Sequence, residues 1–571
     1  MDQTGREEEN NMGRNTAAKT KYGTYLPKDE RAEVLAYLGI PYAKPPVGNL
    51  RFKPPVELDE GSAVVKANRF GPAPLQPQLQ VQGKNYLQWY EVHESSEDCL
   101  YLNIWTSDIE KKDKPVLFWI FGGSNYKGTT DRILFDGTEF VKRHPDVIVV
   151  TIGYRVGLLG TINLAPLDPE GEYKESNNLL LLDQRMALKW VYENIAAFGG
   201  DPDRITAYGH SAGSFDIVFH LALKESSRYL RGAICQSAFA NAIYFPDAGV
   251  ENSYEESLWF GEQLAAMTGA KTVADLQELS EEQIVETEEK LWKLSHPVSG
   301  MKKATVVADN IVVPENCFEL LCKGSASHVS VMTGVSDGEI DQFFEKDEIS
   351  PAMVKKASAG PIFRYQGTEE LIQNFMEMDE KYVGKHNAVV DLRNESVFGV
   401  PGGMIAQAQS YFKDAYNYRF VWNDPKTFPR TPHGMPQPFV FGNCVPDSAP
   451  EHLAEQVSDA WAAFVKTGNP NHPGIPMWEP YRAGHRVTML IDEKWKAETD
   501  FRGDCRDLLQ GMYKKSMKLL DEMEKQAAVC VAQEQQEKQE QKQQEKEQKT
   551  VAKTEWKGEL ANGKTCASLD L

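Results

Sequence analysis

The sequence predicts an α/β protein with a central, mostly parallel sheet flanked by helices, interrupted by a helical insertion and ended by a polar C-terminal tail. Two apolar runs carry this expectation, 115–121 (PVLFWIF) and 147–154 (VIVVTIGY). A strand buried on both faces needs such a run, whereas a strand with one wet face would alternate. The third observation is the helical pattern between strand-like segments. Over 182–198, Met186, Leu188, Trp190, Val191, Ile195 and Ala196 form an apolar stripe that Gly199-Gly200 stops. Strand and helix therefore alternate, as a parallel sheet with crossover helices requires.

The remaining elements follow in order. The run 205–208 reads as a strand that turns sharply at Gly209-His210-Ser211-Ala212-Gly213 into an amphipathic helix. The segments 255–267 and 275–294 read as helices inserted over the sheet, and 329–335 (VSVMTGV) reads as the next buried strand. After about Asp521 the chain becomes QEQQEKQEQKQQEKEQK, which offers no apolar stripe and builds no core. The expected organisation is a polar extension over 1–20, one enzyme domain over 21–525, and a solvated or disordered tail over 526–571.

Composition narrows the class. With 41% hydrophobic, 10% aromatic and 25% charged residues, the chain has an ordinary globular balance. A net charge of −21 disfavours a nucleic-acid backbone as partner. No stretch approaches the roughly 20 apolar residues of a membrane-spanning helix, so no membrane span is expected. The first residues, MDQTGREEENNMGRNTAAKTKYG, carry no apolar core of the kind a secretory signal needs. The eight cysteines show no paired metal-ligand spacing. Free thiols, a cytoplasmic setting, and neither a metal nor a dissociable cofactor are therefore expected.

The chemistry centres on Ser211. A serine hydroxyl is a weak nucleophile unless a tight turn presents it to a base, and flanking glycines at 209 and 213 permit such a turn. Acyl transfer also needs a histidine base, a carboxylate to orient it, and oxyanion donors, each at a strand end. Among the downstream histidines, His433 opens a His-Gly loop before the apolar run Phe439-Val440-Phe441, whereas His452 and His472 lie in polar stretches. The loop after 329–335 offers Asp337, Glu339 and Asp341, and pattern alone does not choose among them. Oxyanion donors are expected from the glycine turn Gly122-Gly123-Ser124 after 115–121 and from the amide following the nucleophile.

These residues lie within a broader resemblance, over about 22–523, to the type-B carboxylesterases, the α/β-hydrolase family that includes cholinesterases. Gly39-Ile40-Pro41-Tyr42-Ala43, Leu50-Arg51-Phe52 and Glu97-Asp98-Cys99-Leu100-Tyr101-Leu102-Asn103 are similar to its N-terminal signatures. Asp183-Gln184-Arg185, Phe198-Gly199-Gly200-Asp201-Pro202, Phe439-Val440-Phe441-Gly442 and Thr467-Gly468-Asn469-Pro470-Asn471 follow in family order. The resemblance implies an α/β-hydrolase fold and a carboxylic-ester hydrolase working through an acyl-enzyme on small to medium esters. It implies a catalytic triad of Ser211, Glu339 and His433, with the amides of Gly123, Ser124 and Ala212 forming the oxyanion hole. Two other readings are weighed against it: a choline-ester hydrolase, and a binding homologue that has lost catalysis, which the retained Ser211, Glu339 and His433 disfavour.

The chain departs from the family at several places. His210 replaces the usual glutamate before the nucleophile, and Ser124 replaces the third glycine of the oxyanion turn. Ser124 is expected to narrow the acyl side. Trp89, ten positions before Cys99, matches the tryptophan that cholinesterases stack on choline, so it and His210 are candidate substrate contacts. The family's secreted members bridge the cysteine matching Cys99 to an upstream one, and none precedes Cys99 here.

Overall fold

The computed structural model describes residues 15–77, 94–238, 254–297, 306–341, 368–424, 430–511, 513–529 and 533. The chain divides into two compact units, Met1–Met517 and Lys518–Leu571. The first unit is organised around a ten-stranded sheet. Its strands in chain order are β1 (Leu35–Pro41), β2 (Tyr101–Thr106), β3 (Lys114–Ile120), β4 (Ile148–Ile152), β5 (Gly200–His210), β6 (Gly232–Gln236), β7 (Ser330–Ser336), β8 (Ala415–Phe420), β9 (Val487–Ile491) and β10 (Lys496–Thr499). Across the sheet they run β10-β9-β8-β7-β6-β5-β3-β4-β2-β1.

All neighbours from β4 through β9 pair in parallel, and the antiparallel pairs lie at the two edges. The mostly parallel sheet expected from the apolar runs is thus present. Every residue of β3, β4 and β7 is buried, which is why these segments read as continuous rather than alternating runs.

The helix expected over 182–198 is α1 (Leu179–Asn194), followed by a 3-10 turn at Ile195–Phe198. It starts earlier than the apolar stripe because Leu179, Leu180 and Leu181 are also buried. Gly199 stops it with φ 86°, and a Cβ there would lie 2.6 Å from the Lys111 carbonyl oxygen. The turn at Ser211 leads into α2 (Ala212–Ala222), all of whose residues are buried.

The insertion comprises α3 (Tyr254–Thr268), α4 (Val273–Gln277) and α5 (Glu281–Lys293). The single segment read over 275–294 is two helices because Ser280 forms a capping box with Gln283, as Thr272 does with Asp275. Phe260, Leu264, Leu276, Ile284 and Leu291 share a core with Leu158, Leu159, Ile162, Leu164 and Leu167. The insertion is therefore seated on the chain leaving β4.

Helices α6 (Val400–Ser410), α7 (Pro436–Phe441) and α8 (Glu451–Thr467) complete the layers used below. The apolar run Phe439-Val440-Phe441 is the end of α7. Buried ion pairs account for several of the sequence signatures. Arg155 donates to both oxygens of Asp183 at 2.8 and 2.6 Å. Arg51 pairs with Glu97 and also donates to the carbonyls of Leu276, Gln277 and Leu279, fastening the end of α4. Removing one partner of such a pair leaves a buried charge uncompensated, at a cost of about 3–5 kcal/mol.

In the second unit, residues 518–529 are helical. Beyond Gln533, the Gln/Glu/Lys run lies outside the described residues. No described helix is long and apolar enough to cross a membrane.

Candidate active site

Four loops at the carboxyl ends of the strands bring the site together. The first is the turn between β5 and α2. Ser211 adopts φ 55° and ψ −123°, a conformation that costs a side-chain-bearing residue energy and that persists because its neighbours over-determine it. The Ser211 amide donates to the Gln236 carbonyl at 3.0 Å, and its carbonyl accepts from Phe215 at 2.9 Å. A Cβ on Gly209 would lie 2.5 Å from the Gly213 carbonyl, and one on Gly213 would lie 2.3 Å from the Ile120 carbonyl oxygen. Neither glycine tolerates a side chain: Gly209 is closed off by Gly213 within the turn, and Gly213 by the end of β3.

The second loop follows β3. Gly122 lies so close to the Ser211 turn that a Cβ there would be 2.4 Å from the His210 carbonyl oxygen and 3.0 Å from the Ser211 Cβ. Gly123, Ser124 and Asn125 then take φ of 121°, 59° and 50°. Left-handed conformation costs a non-glycine residue about 1–2 kcal/mol, and asparagine tolerates it best. Among the described residues, neither the Gly123 nor the Ser124 amide meets an acceptor. The turn is held at its far end by Gln76, which donates to the Gly128 carbonyl at 2.8 Å and accepts from the Gly128 amide at 2.9 Å. Ser124 is exposed.

The third group joins the loop after β7 to the loop before α7. His433 Nδ1 meets Glu339 Oε2, and the Gly338 amide donates to the Thr431 carbonyl at 2.8 Å. Glu339 is fully buried, and its Oε1 accepts from the Ser237 hydroxyl at 2.6 Å and the Ser336 amide at 2.7 Å. With Nδ1–H given to the carboxylate, the lone pair of the imidazole belongs to Nε2, the tautomer a general base requires.

The neighbouring acids are committed elsewhere. Arg419 donates to Asp337 at 2.7 Å, and Arg430 takes both oxygens of Asp341 at 2.7 Å. Burial works to raise the Asp337 carboxyl, but Arg419 and Arg430 outweigh it and hold the group below its ordinary value. Of the three acids the sequence left open in this loop, only Glu339 is in contact with His433.

His433 is connected to the nucleophile turn by His210. The two imidazole rings lie 4.3 Å apart, and a Cβ on Gly434 would be 3.3 Å from His210 Cε1. His210 is buried, and burial, reinforced by His433, holds it neutral well below the usual histidine range. It packs beneath the His433 loop, a position that favours a structural role over contact with substrate. Trp89 lies outside the described residues. Ser237, which orients Glu339, escaped the sequence reading because a single serine after a buried strand carries no local signal.

The insertion also reaches the site. Trp292 on α5 stacks on Tyr126, just past the Gly122–Ser124 turn, with ring centroids 4.0 Å apart and 18° between planes. No group of three or more metal-ligating side chains occurs among the described residues.

A strand-to-helix serine elbow on a mostly parallel sheet, beside a glycine turn and a buried carboxylate–histidine pair, defines a serine hydrolase of the α/β-hydrolase fold. The carboxylesterase family model matches residues 17–508, and the chain belongs to that family. It is 29% identical to a para-nitrobenzyl esterase of Bacillus subtilis over 86% of this chain and 97% of that one. It is 30% identical to carboxylesterase 1D of Mus musculus over 78% of this chain and 84% of that one. Among solved structures, a Geobacillus stearothermophilus carboxylesterase superposes with TM-score 0.74 at 30% identity, covering 87% of this chain and 100% of that one. The protein is a carboxylesterase-type serine hydrolase.

Proposed function

We propose that Ser211 attacks the ester carbonyl, that His433 Nε2 takes its proton and returns it to the leaving alcohol, and that Glu339 orients and stabilises the imidazolium. The amides of Gly123, Ser124 and Ala212 receive the developing oxyanion. Water, deprotonated by the same histidine, then releases the acid from the acyl-enzyme. The observation that carries this reading is the packing of His433, already fixed by Glu339, against His210, the residue immediately before the strained Ser211.

The substrates are small to medium uncharged esters. The likeness to a para-nitrobenzyl esterase supports esters of small aromatic alcohols as first probes. An ester panel varying acyl and alcohol groups independently, run beside Ser211→Ala, tests the assignment. The variant is expected to lose about 10³-fold or more in kcat on short p-nitrophenyl esters. Unchanged turnover would refute the role of Ser211.

A reducing, cytoplasmic setting fits the cysteines. Cys99, Cys235, Cys317, Cys322, Cys444 and Cys505 are free thiols, and burial pushes the Cys99 thiol well above its ordinary value, so it is unreactive.

A further inference from the structure

Helix α2 buries a carboxyl that the reaction above does not use. Asp216, five residues after Ser211, is fully buried. Asn125 Nδ2 donates to its Oδ1 at 2.8 Å and Gln184 Nε2 donates to its Oδ2 at 2.7 Å. One turn further along α2, His220 Nε2 lies 2.9 Å from Gln184 Oε1. Burial, with Arg185 adding to it, pushes His220 down to about 3, so it is neutral and its Nε2–H is the donor. The chain of contacts therefore runs from Asn125 to Asp216, then to Gln184 and His220.

Asn125 is the last of the three left-handed residues in the turn that presents the Gly123 and Ser124 amides. Its backbone carbonyl accepts from the Gly157 amide at 2.7 Å, which fixes the main chain on one side. Its side chain reaches the other way, onto the helix that begins at the nucleophile. A carboxyl buried between two side-chain amides is expensive to maintain, and burial pushes Asp216 up to about 7 despite both donors. An apolar pair would fill the same space without that cost, so the polar link has a purpose other than packing. What it supplies is direction. A hydrogen bond fixes the distance and angle between the oxyanion turn and α2, which dispersion contacts leave loose.

We propose that Asp216 is a positioning residue: through Asn125 it holds the Gly123–Ser124 amides at a set distance from Ser211 and so fixes the geometry of the oxyanion hole. This rests on the assignment of those amides as oxyanion donors. A misplacement of about 1 Å in such donors can cost about 100-fold in rate.

The test uses Asp216→Ala, Asn125→Ala, the double variant, and the exchange Asn125→Asp with Asp216→Asn, which reverses the direction of the bond while leaving an oxygen for Gln184. Active sites are counted with an irreversible phosphonate, so that kcat refers to competent enzyme only. Thermal midpoints and the inhibition constant of a trifluoromethyl ketone, whose adduct places an oxyanion in the hole, are measured in parallel. Each single variant is expected to lose about 10- to 100-fold in kcat per titrated site with KM within about twofold. The ketone should weaken in step, the double variant should be no worse than the worse single, and the exchange should recover most of the rate.

A fall in thermal midpoint or titratable fraction with unchanged kcat per site would overturn the proposal and leave Asp216 a packing residue. Independent, additive losses in the double variant would overturn it as well. If Asp216→Ala fails to fold, Asn125→Ala and the exchange still decide the question. Failure of the underlying amide assignment would show differently, as a fall in kcat per site with the ketone constant unchanged, and failure of the nucleophile assignment as full turnover in Ser211→Ala.

Discussion

Asp337 and Glu339 stand two residues apart in one loop, and their opposite fates show how position decides chemistry. Glu339 is fully buried and faces His433, while Asp337 is held by Arg419. Glu339→Gln keeps the shape but gives the imidazole an amide that can stabilise the wrong tautomer, so kcat should fall by about 10⁴-fold with little change in KM. Asp337→Asn should leave kcat within a few-fold and lower the thermal midpoint, because the buried Arg419 loses a charged partner. Steady-state kinetics and thermal unfolding on both variants check this, and a kcat collapse in Asp337→Asn would reverse the assignment. The choice was not legible in the sequence from residue chemistry alone. The deciding partners, Arg419, Arg430 and His433, all lie more than 80 positions away. Only the resemblance to the family selected Glu339 in advance.

At the scale of elements, the Gly123–Asn125 turn illustrates what a three-residue run of left-handed backbone permits. Ser124 sits at φ 59° with its side chain exposed. Glycine adopts this conformation without penalty, so Ser124→Gly should fold at least as stably, gaining up to about 1 kcal/mol. Removing the hydroxymethyl group should also widen the acyl side. The expected outcome is a gain in kcat/KM on branched and aromatic acyl esters relative to acetate, read from the ester panel. No relative gain would dismiss Ser124 as an acyl-side restriction. The elements themselves were largely legible. Doubly buried strands write continuous apolar runs, and β3, β4 and β7 fall where those runs lie. The division of 275–294 into α4 and α5 was harder to see, because Ser280 breaks the helix through a capping box without altering the acidic character of the segment. The seat of the insertion on 158–167 was likewise unreadable, since an apolar helix face does not specify its partner.

For the whole molecule, buried titratable groups set how stability responds to pH. His144 is buried, and burial, with Lys466 next, pushes it down to about 4, while His220 is pushed down to about 3. An unfolded histidine binds its proton near pH 6.5, so below that value the unfolded chain holds protons that the folded one refuses. The stability these groups contribute is therefore present above about pH 6.5 and lost as pH falls toward 4. Each loses at most about 1.4 kcal/mol per pH unit. Asp216 and Asp391, both pushed up to about 7 chiefly by burial, act with the opposite sign. The folded chain keeps their protons between about pH 4 and 7 where the unfolded chain releases them, so their stabilisation is lost as pH rises through 7. His144→Gln removes one acid-sensitive group. The variant should lose less stability than the parent between pH 7.5 and 5, measured as urea midpoints, and identical losses would show that His144 does not carry this linkage.

The central claim, that ester hydrolysis passes through an acyl group on Ser211, is open to direct measurement. The enzyme is mixed with a p-nitrophenyl ester, quenched in acid within the first turnovers, digested and mapped by mass spectrometry. The expected result is an acyl adduct on Ser211, within the peptide containing Gly209 to Gly213, and its absence from Ser211→Ala. Normal turnover with no adduct on that peptide, or with the acyl group on another residue, would contradict it.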